Sequence, residues 1–423
     1  MKEKSKIPKP IFIMIISSLL FAVFILGFTV RLITEDKEQR AFREMMKIIN
    51  ENSVVVPSVT FDELAENGFE SVLKEDNYAR YFSKEEYKKS KKEDKGDYSG
   101  FGFSFVGNTN KVNSVVYNSP CEKGGVKSGD IIKTITVFNE EKKITDFDTL
   151  SSAISNLKAG DSAKFDIERA NGEQFSLVMQ KENYKAGYIR YADSETELRV
   201  RTNEKGEYYL KEFSQNKNAL LDNRTAYIEM TEFSGGLTQQ LKLALNHAKE
   251  NGKDQLILDL RNNGGGQLSV LQDVCSLIMP TTAKSGSLLV NAKLKSDETN
   301  FCLEKKGTND FIKNTVVLAN KNTASASEAL IGAMAHYGAG GFSLDKLVCE
   351  YNDKREDYST FGKGIMQTTF TLSNGGAIKL TTAKIYWPDK STCIHDVGVK
   401  PTLEKNCIKN SDSIKRALEI LAV

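Results

Sequence analysis

The sequence predicts a multidomain α+β protein: an N-terminal transmembrane helix, a small helical region, a compact and mostly β module, and an α/β core with a partly parallel sheet. Three observations predict it. A charge-free run from Pro10 to Val30 stands between lysines and Arg31. Residues 96–182 break into short apolar runs separated by glycine-bearing turns. Beyond Thr225, short apolar runs alternate with helix-length amphipathic ones, the pattern of parallel strands joined by helices. The 423 residues, 40% hydrophobic and 27% charged, suffice for several cored domains and exclude disorder as the main state. Lys plus Arg (58) nearly balances Asp plus Glu (56), so a net charge of +2 exerts no global pull on nucleic acid. The three histidines (His247, His336, His395) form no H-E-x-x-H, and there is no C-x-x-C, so no metal site and no cofactor are expected.

Residues 1–33 read as a cytoplasmic stub and membrane anchor. Lys2, Lys4, Lys6 and Lys9 precede 21 charge-free residues, enough to cross the hydrocarbon layer at about 1.5 Å per residue. The lysine excess keeps the N-terminus in the cytoplasm and puts the rest of the chain on the extracytoplasmic side. The run ends Leu26-Gly27-Phe28-Thr29-Val30, without the small-residue pattern of a cleavage site, so an uncleaved single-pass anchor is the expectation. Residues 34–95 are charged and helix-like, with apolar positions at Phe61, Leu64, Phe69, Val72 and Leu73. The lysine-rich stretch Lys84 to Lys95 reads as a solvated helix or loop. Six cysteines follow (Cys121, Cys275, Cys302, Cys349, Cys393, Cys407) at long, irregular spacings. None has an evident catalytic partner, and disulfides among the last four are left open.

Within residues 96–182 the strand candidates are Phe101 to Phe105, Val112 to Val116, Ile131 to Phe138, Lys164 to Ile167 and Phe175 to Met179. One helix, Phe147 to Leu157, interrupts them. Gly100-x-Gly102 is not a dinucleotide fingerprint, because Phe105 fills the third glycine position. The string Ser119-Pro120-Cys121-Glu122-Lys123-Gly124-Gly125-Val126-Lys127-Ser128-Gly129-Asp130-Ile131-Ile132 resembles the S-P-A-x-x-A-G-L-x-x-G-D-x-I segment of PDZ domains. Gly100-Phe101-Gly102-Phe103 resembles their carboxylate-binding loop, which implies peptide binding by added-strand pairing and main-chain capture of a C-terminal carboxylate.

The remainder, 183–423, is the α/β core with its connecting strands. Residues 183–224 are polar and read as connecting strands plus an insertion. Strands are expected at Ala226 to Met230, Gln255 to Leu260 and Thr315 to Ala319, and helices at Leu237 to Asn251, Val270 to Leu277 and Ala324 to Tyr337. In such sheets ligands bind where strand C-termini turn into helices. Two of these junctions are Asp259-Leu260-Arg261-Asn262-Asn263-Gly264-Gly265-Gly266 and Asn322-Thr323-Ala324-Ser325-Ala326-Ser327-Glu328. Taken alone, Ser325 with Glu328 is a capping box. A third segment, Phe361-Gly362-Lys363-Gly364-Ile365-Met366-Gln367, offers a glycine-flanked lysine that desolvation could make a base for a serine.

Together these strings resemble the C-terminal processing (tail-specific) serine proteases, over about residues 60 to 405. Leu258 to Gly266 is similar to the family's L-D-L-R-N-N-P-G-G, with Gly264 in the proline position. Thr323 to Glu328 is similar to S-A-S-A-S-E, and Phe361 to Gln367 to F/Y-G-K-G-x-x-Q. Asp76-Asn77-Tyr78-Ala79-Arg80-Tyr81 resembles D-P-Y-S-x-Y, with Asn77 and Ala79 as departures. The resemblance implies Ser325 as nucleophile, Lys363 as general base and Gln367 as the residue orienting it. Ala326 N–H and Gly265 N–H are then the oxyanion donors, with Gly266 as the near alternative for the latter. It implies protein or peptide substrates with exposed C-termini; the N-terminal run implies membrane attachment and the charge balance no nucleic-acid partner, and oligomerisation is left open. Lys363 follows Ser325 by 38 residues (363 − 325), longer than usual in the family, with the surplus expected as a loop within Phe342 to Thr360. Two other readings stand beside it. One is a catalytically silent PDZ-containing scaffold of the same fold. The other is a Ser-His-Asp esterase using His336, for which no G-x-S-x-G elbow exists.

Overall fold

The computed structural model describes residues 76–423 except 106, 215–220, 352–357, 373–374, 410–411 and 423, together with Thr60, Glu63 and Gly68. The anchor expected at Pro10 to Val30 and the apolar positions from Phe61 to Leu73 lie outside the described residues. Among the described residues no helix is long and apolar enough to cross a membrane.

The unit Asp76–Val423 opens with β1 (Arg80–Phe82) and α1 (Lys84–Glu93). Ser83 and Glu86 cap α1 reciprocally, lysines fill its last turn, and it buries no residue, so the lysine-rich stretch is a solvated helix. The β module then runs β2 (Asp97–Gly100), β3 (Phe103–Phe105), β4 (Val112–Val115), α2 (Pro120–Lys123), β5 (Ile131–Val137), β6 (Glu140–Lys143), α3 (Phe147–Ile154), β7 (Ser162–Glu168), β8 (Gln174–Gln180) and β9 (Glu182–Lys185). Strand order is β6-β5-β7-β8, all antiparallel, with β3 paired to β4 and β2 to β9. Period-two alternation in β7 sends Ala163, Phe165 and Ile167 inward. They join Phe101, Ile132, Ile135 and Leu150 in a core of the module's own.

The larger core comprises β10 (Ile189–Ala192), β11 (Glu197–Thr202), β12 (Tyr208–Ser214), β13 (Thr225–Met230), α4 (Leu237–Glu250), β14 (Gln255–Asp259), α5 (Leu268–Ile278), β15 (Leu288–Leu294), β16 (Glu298–Cys302), β17 (Asn314–Asn320), α6 (Ala326–Tyr337), β18 (Leu347–Tyr351), β19 (Ile365–Thr371), β20 (Ala377–Tyr386), β21 (Cys407–Lys409) and α7 (Ser413–Leu421). Its main sheet has the order β12-β11-β10-β13-β14-β17-β18-β21. Pairing is parallel from β13 to β21 and antiparallel from β13 out to β12. The polar stretch 183–224 thus contributes three strands to the sheet. β14 is buried along its whole length, as its unbroken apolar run requires. Leu256 and Leu258 pack with α4, α5 and α6, whereas Ile257 packs with Ala417 and Leu421 of α7 on the opposite face.

Two features depart from the sequence reading. A second sheet, in which β20 pairs with β1, β15 and β19, and β15 with β16, was not foreseen. The segment Phe342 to Thr360, read as a surplus loop, contains β18, a sheet strand between β17 and β21. Its apolar residues Leu347, Val348 and Cys349 are fully buried, so this part is a structural strand; the charged stretch 352–357 lies outside the described residues. Cys121, Cys275, Cys302, Cys349 and Cys393 are free thiols. Gly332 of α6 lies against Trp387: a Cβ there would meet the indole at 2.4 Å.

Candidate active site

Three turns converge at the C-terminal end of the parallel strands. The first, Asp259 to Gly266, leaves β14; the second, Asn320 to Ser325, leaves β17 and enters α6; the third, Thr360 to Gly364, precedes β19. Main-chain and buried polar groups interlock them. Thr323 Oγ1 donates to the Leu260 carbonyl at 2.8 Å, and the Ala324 N–H and Ser327 hydroxyl both donate to the Asn263 carbonyl, at 2.9 and 3.0 Å. The Phe361 N–H donates to the Thr323 carbonyl at 2.8 Å. Arg261 braces the first turn from behind, pairing with Asp259 and, at 2.5 Å, with Glu350 of β18, and donating to Ser413 of α7.

Ser325 stands between β17 and α6 at φ 57°, ψ −115°. For a residue with a Cβ this is a strained conformation, and a sharp strand-to-helix turn of this kind thrusts a side chain outward. The capping box expected from sequence is present in its reverse half: Glu328 accepts the Ser325 N–H at 2.7 Å. The carboxylate does more than cap. It also accepts Thr360 Oγ1 at 2.5 Å, the Gly362 N–H at 2.7 Å and the Lys363 N–H at 2.9 Å. Burial raises its pKa, while these four hydrogen bonds pull the other way.

Ser325 and Lys363 therefore hang from one carboxylate oxygen, Glu328 Oε2. Both side chains are half-buried and line one cleft. Burial, then the positive charge of Lys379, lowers the Lys363 pKa, and Glu328 opposes them. The Lys363 Nζ lies 4.7 Å from the centroid of the Tyr78 ring. Tyr78 was quoted in the upstream string but given no role. Its neighbour Asp76 accepts both the N–H and the hydroxyl of Thr381 on β20, at 2.8 and 2.9 Å. Gln367 lines the same cleft, and its amide reaches Thr381 Oγ1 at 3.5 Å. No hydrogen bond from Gln367 to Lys363 exists among the described residues.

The N–H groups of Ala326, Gly265 and Gly266 are engaged to different degrees. Ala326 is buried at the first turn of α6, where its N–H has no intrahelical acceptor. The Gly265 N–H, by contrast, already donates to Asn263 Oδ1 at 2.9 Å. The Phe233 N–H binds the Gly265 carbonyl and the Gln267 N–H binds the Phe233 carbonyl, so the Gly266 N–H points away from Phe233. It has no acceptor among the described residues, and Gly266 lines the cleft. Gly265 serves by its lack of a side chain: at φ 95°, a Cβ would stand 2.7 Å from the Ala324 carbonyl and 2.8 Å from Ser325 Cβ.

The cleft encloses about 1240 Å³ and continues into the β module, where Gly100, Gly102, Phe103, Leu150 and Ile154 line it. β3 pairs with β4 on one edge, and no described strand pairs with the other. Phe101 lines the cleft with its backbone neighbours, but it is only 2% exposed and packs edge-on against Phe165 at 5.0 Å. Phe103 is half-buried beside it. His336 sits exposed in the last turn of α6, 11 residues (336 − 325) or about 16 Å along the helix from Ser325, which removes it as a partner. No group of His, Cys, Asp or Glu that could hold a metal ion occurs among the described residues.

Residues 224–350 and 355–405 match the model of peptidase family S41, and residues 99–177 match that of the PDZ domain. A probable CtpA-like serine protease of Staphylococcus epidermidis is 24% identical over 377 residues, covering 86% of this chain and 66% of that protein. A carboxyl-terminal-processing protease of Synechocystis is 33% identical over 175 residues, 41% of this chain and 36% of that protein. The chain thus spans less than two thirds of the length of the curated relatives it matches. The solved photosystem II D1 C-terminal processing protease superposes with a TM-score of 0.51 over 87% of this chain and 93% of that one. At 19% identity this likeness shows the fold alone.

Proposed function

From a chain that carries a peptidase family S41 core behind a PDZ domain, we propose a membrane-anchored extracytoplasmic serine endopeptidase that cleaves proteins or peptides recognised by their C-terminal tails. The observation that carries this reading is the sharing of Glu328 Oε2 by the Ser325 and Lys363 main chains at the mouth of one cleft. Neutral Lys363 takes the Ser325 hydroxyl proton as Oγ attacks the peptide carbonyl, then delivers it to the leaving amine; water hydrolyses the acyl-enzyme. Burial and Lys379 favour the neutral amine. Ala326 N–H and Gly266 N–H are the donors to the oxyanion, with Gly265 permitting the approach. Gln367, which lines the same cleft as Lys363, orients the amine.

The substrate's tail adds a strand to the open edge of β3, with its carboxylate at the main chain of Gly100 to Phe103. Anchoring rests on the Pro10 to Val30 run. The test is covalent labelling by a serine-directed phosphonate together with peptide hydrolysis. Both should be present in the native chain and lost in Ser325→Ala and Lys363→Ala. A native chain that binds peptides but neither labels nor cleaves would be the silent scaffold instead.

A further inference from the structure

We propose that Glu328 is a positioning residue of the reaction: its single carboxylate clamps the nucleophile's turn to the base's turn and fixes their mutual geometry. This rests on the reading of Ser325 as nucleophile and Lys363 as base. A helix cap needs only a local contact, and the Ser325 N–H, three residues away, supplies it. The other three donors come from 32, 34 and 35 residues downstream. Four donors fill the four lone-pair sites of an ionised carboxylate. Thr360 Oγ1 accepts the Val399 N–H at 2.6 Å and donates its own proton to Glu328, since an ionised carboxylate only accepts. The side chain is fully buried and makes no ion pair among the described residues, so main-chain and hydroxyl donors alone balance its charge.

The surrounding chain is shaped to deliver those donors. Gly362, at φ 89°, is packed so closely that a Cβ would stand 2.9 Å from the Gly398 nitrogen, which lets its N–H approach Oε1. On the other side the carboxylate grips the N–H of the strained Ser325. Between the two turns lie β18 and the stretch 352–360, so sequence proximity does not fix Ser325 against Lys363. The clamp does. Its charge also reaches Lys363, whose other neighbours are the Lys379 ammonium and the Tyr78 ring.

The experiment measures kcat, KM, phosphonate labelling and the pH dependence of kcat/KM for the full chain, Glu328→Gln and Thr360→Val. Glu328→Gln keeps the volume but offers one acceptor oxygen and turns NH₂ donors toward donors. Its kcat per folded molecule should fall about 100-fold with KM within about threefold. The ascending limb of its pH profile should move to lower pH, because the negative charge sustaining the lysine ammonium is gone. Thr360→Val removes one donor and should cost about tenfold in kcat. It carries the test where Glu328→Gln does not fold. A kcat per folded molecule within about threefold of native in either variant, or an unshifted limb in Glu328→Gln, overturns the proposal. Persistent hydrolysis by Ser325→Ala would instead overturn the reading of the nucleophile beneath it.

Discussion

The turns beneath Ser325 and the groove of the PDZ module are built by opposite means. Under Ser325, buried polar side chains (Asn263, Thr323, Glu328 and Thr360, all fully buried) hold the main chain by hydrogen bonds. In the module, apolar packing of Phe101, Ile132 and Phe165 holds a strand whose outer edge is left open. The first arrangement fixes main-chain atoms closely, as the proposed bond making requires. The second fixes only an edge, which suits main-chain pairing with tails of differing sequence.

The sharpest way to break this contrast is at the proposed nucleophile and base. Ser325→Ala and Lys363→Ala should each lower kcat/KM by about 10⁴-fold or more while leaving Tm nearly unchanged, read by peptide hydrolysis and calorimetry. Next comes the module's core. Phe101→Ala should cost about 3–5 kcal/mol of module stability, measured by denaturant titration of the full chain. Ser325 should still react with a small phosphonate in that variant; equal loss of both would show that the two regions are not built independently.

Gly265→Ala follows, with a Cβ forced against Ala324 and Ser325. It should reduce phosphonate labelling about 100-fold, the scale of a lost oxyanion donor, and unchanged labelling would exclude close approach at this point. Smaller again is the effect of the substrate's own charge. In Ser325→Ala, amidating a peptide's C-terminus should weaken binding about tenfold by titration calorimetry. Acid and amide forms binding alike would remove carboxylate capture from the groove.

The smallest effect is one of pH. The folded pKa of Lys363 lies below its unfolded value, so holding the ammonium in place costs stability fully below the folded pKa. The cost disappears as pH rises from the folded toward the unfolded pKa, and kcat/KM rises through the folded one. Lys363→Met should therefore raise Tm by a few degrees at neutral pH and by less in strong alkali. A gain independent of pH would assign the effect to packing alone.

What could be read in the sequence were local strand–turn–helix signatures. The junctions at Gly264 to Gly266 and Thr323 to Glu328 were located because unbroken apolar runs end in them. Contacts distant in sequence were not legible. Arg80 pairs with Lys379, and Asp76 holds Thr381, across some three hundred residues, so neither β1 nor the role of Tyr78 left a local trace. β20 mixes buried, half-buried and exposed residues without period-two alternation, which hid the second sheet. Phe101 was named through the loop's resemblance; that its ring is 2% exposed beside Phe165 depends on packing across the module, which no local pattern shows. The reverse half of the Glu328 box was legible; its three remote donors were not.

The contact between Gly332 and Trp387 has a practical consequence. Trp387 is the chain's single tryptophan, and its indole lies on the helix that begins just after Ser325. Its Nε1 is buried with no hydrogen-bond partner among the described residues. The protein thus carries one indole, half-buried and seated about two turns along α6, which selective excitation separates from the 15 tyrosines. Its ultraviolet emission is a label-free optical gauge of that helix. Any shift of α6 when the cleft fills changes the polarity around the ring, and stopped-flow fluorescence can time that movement without a dye.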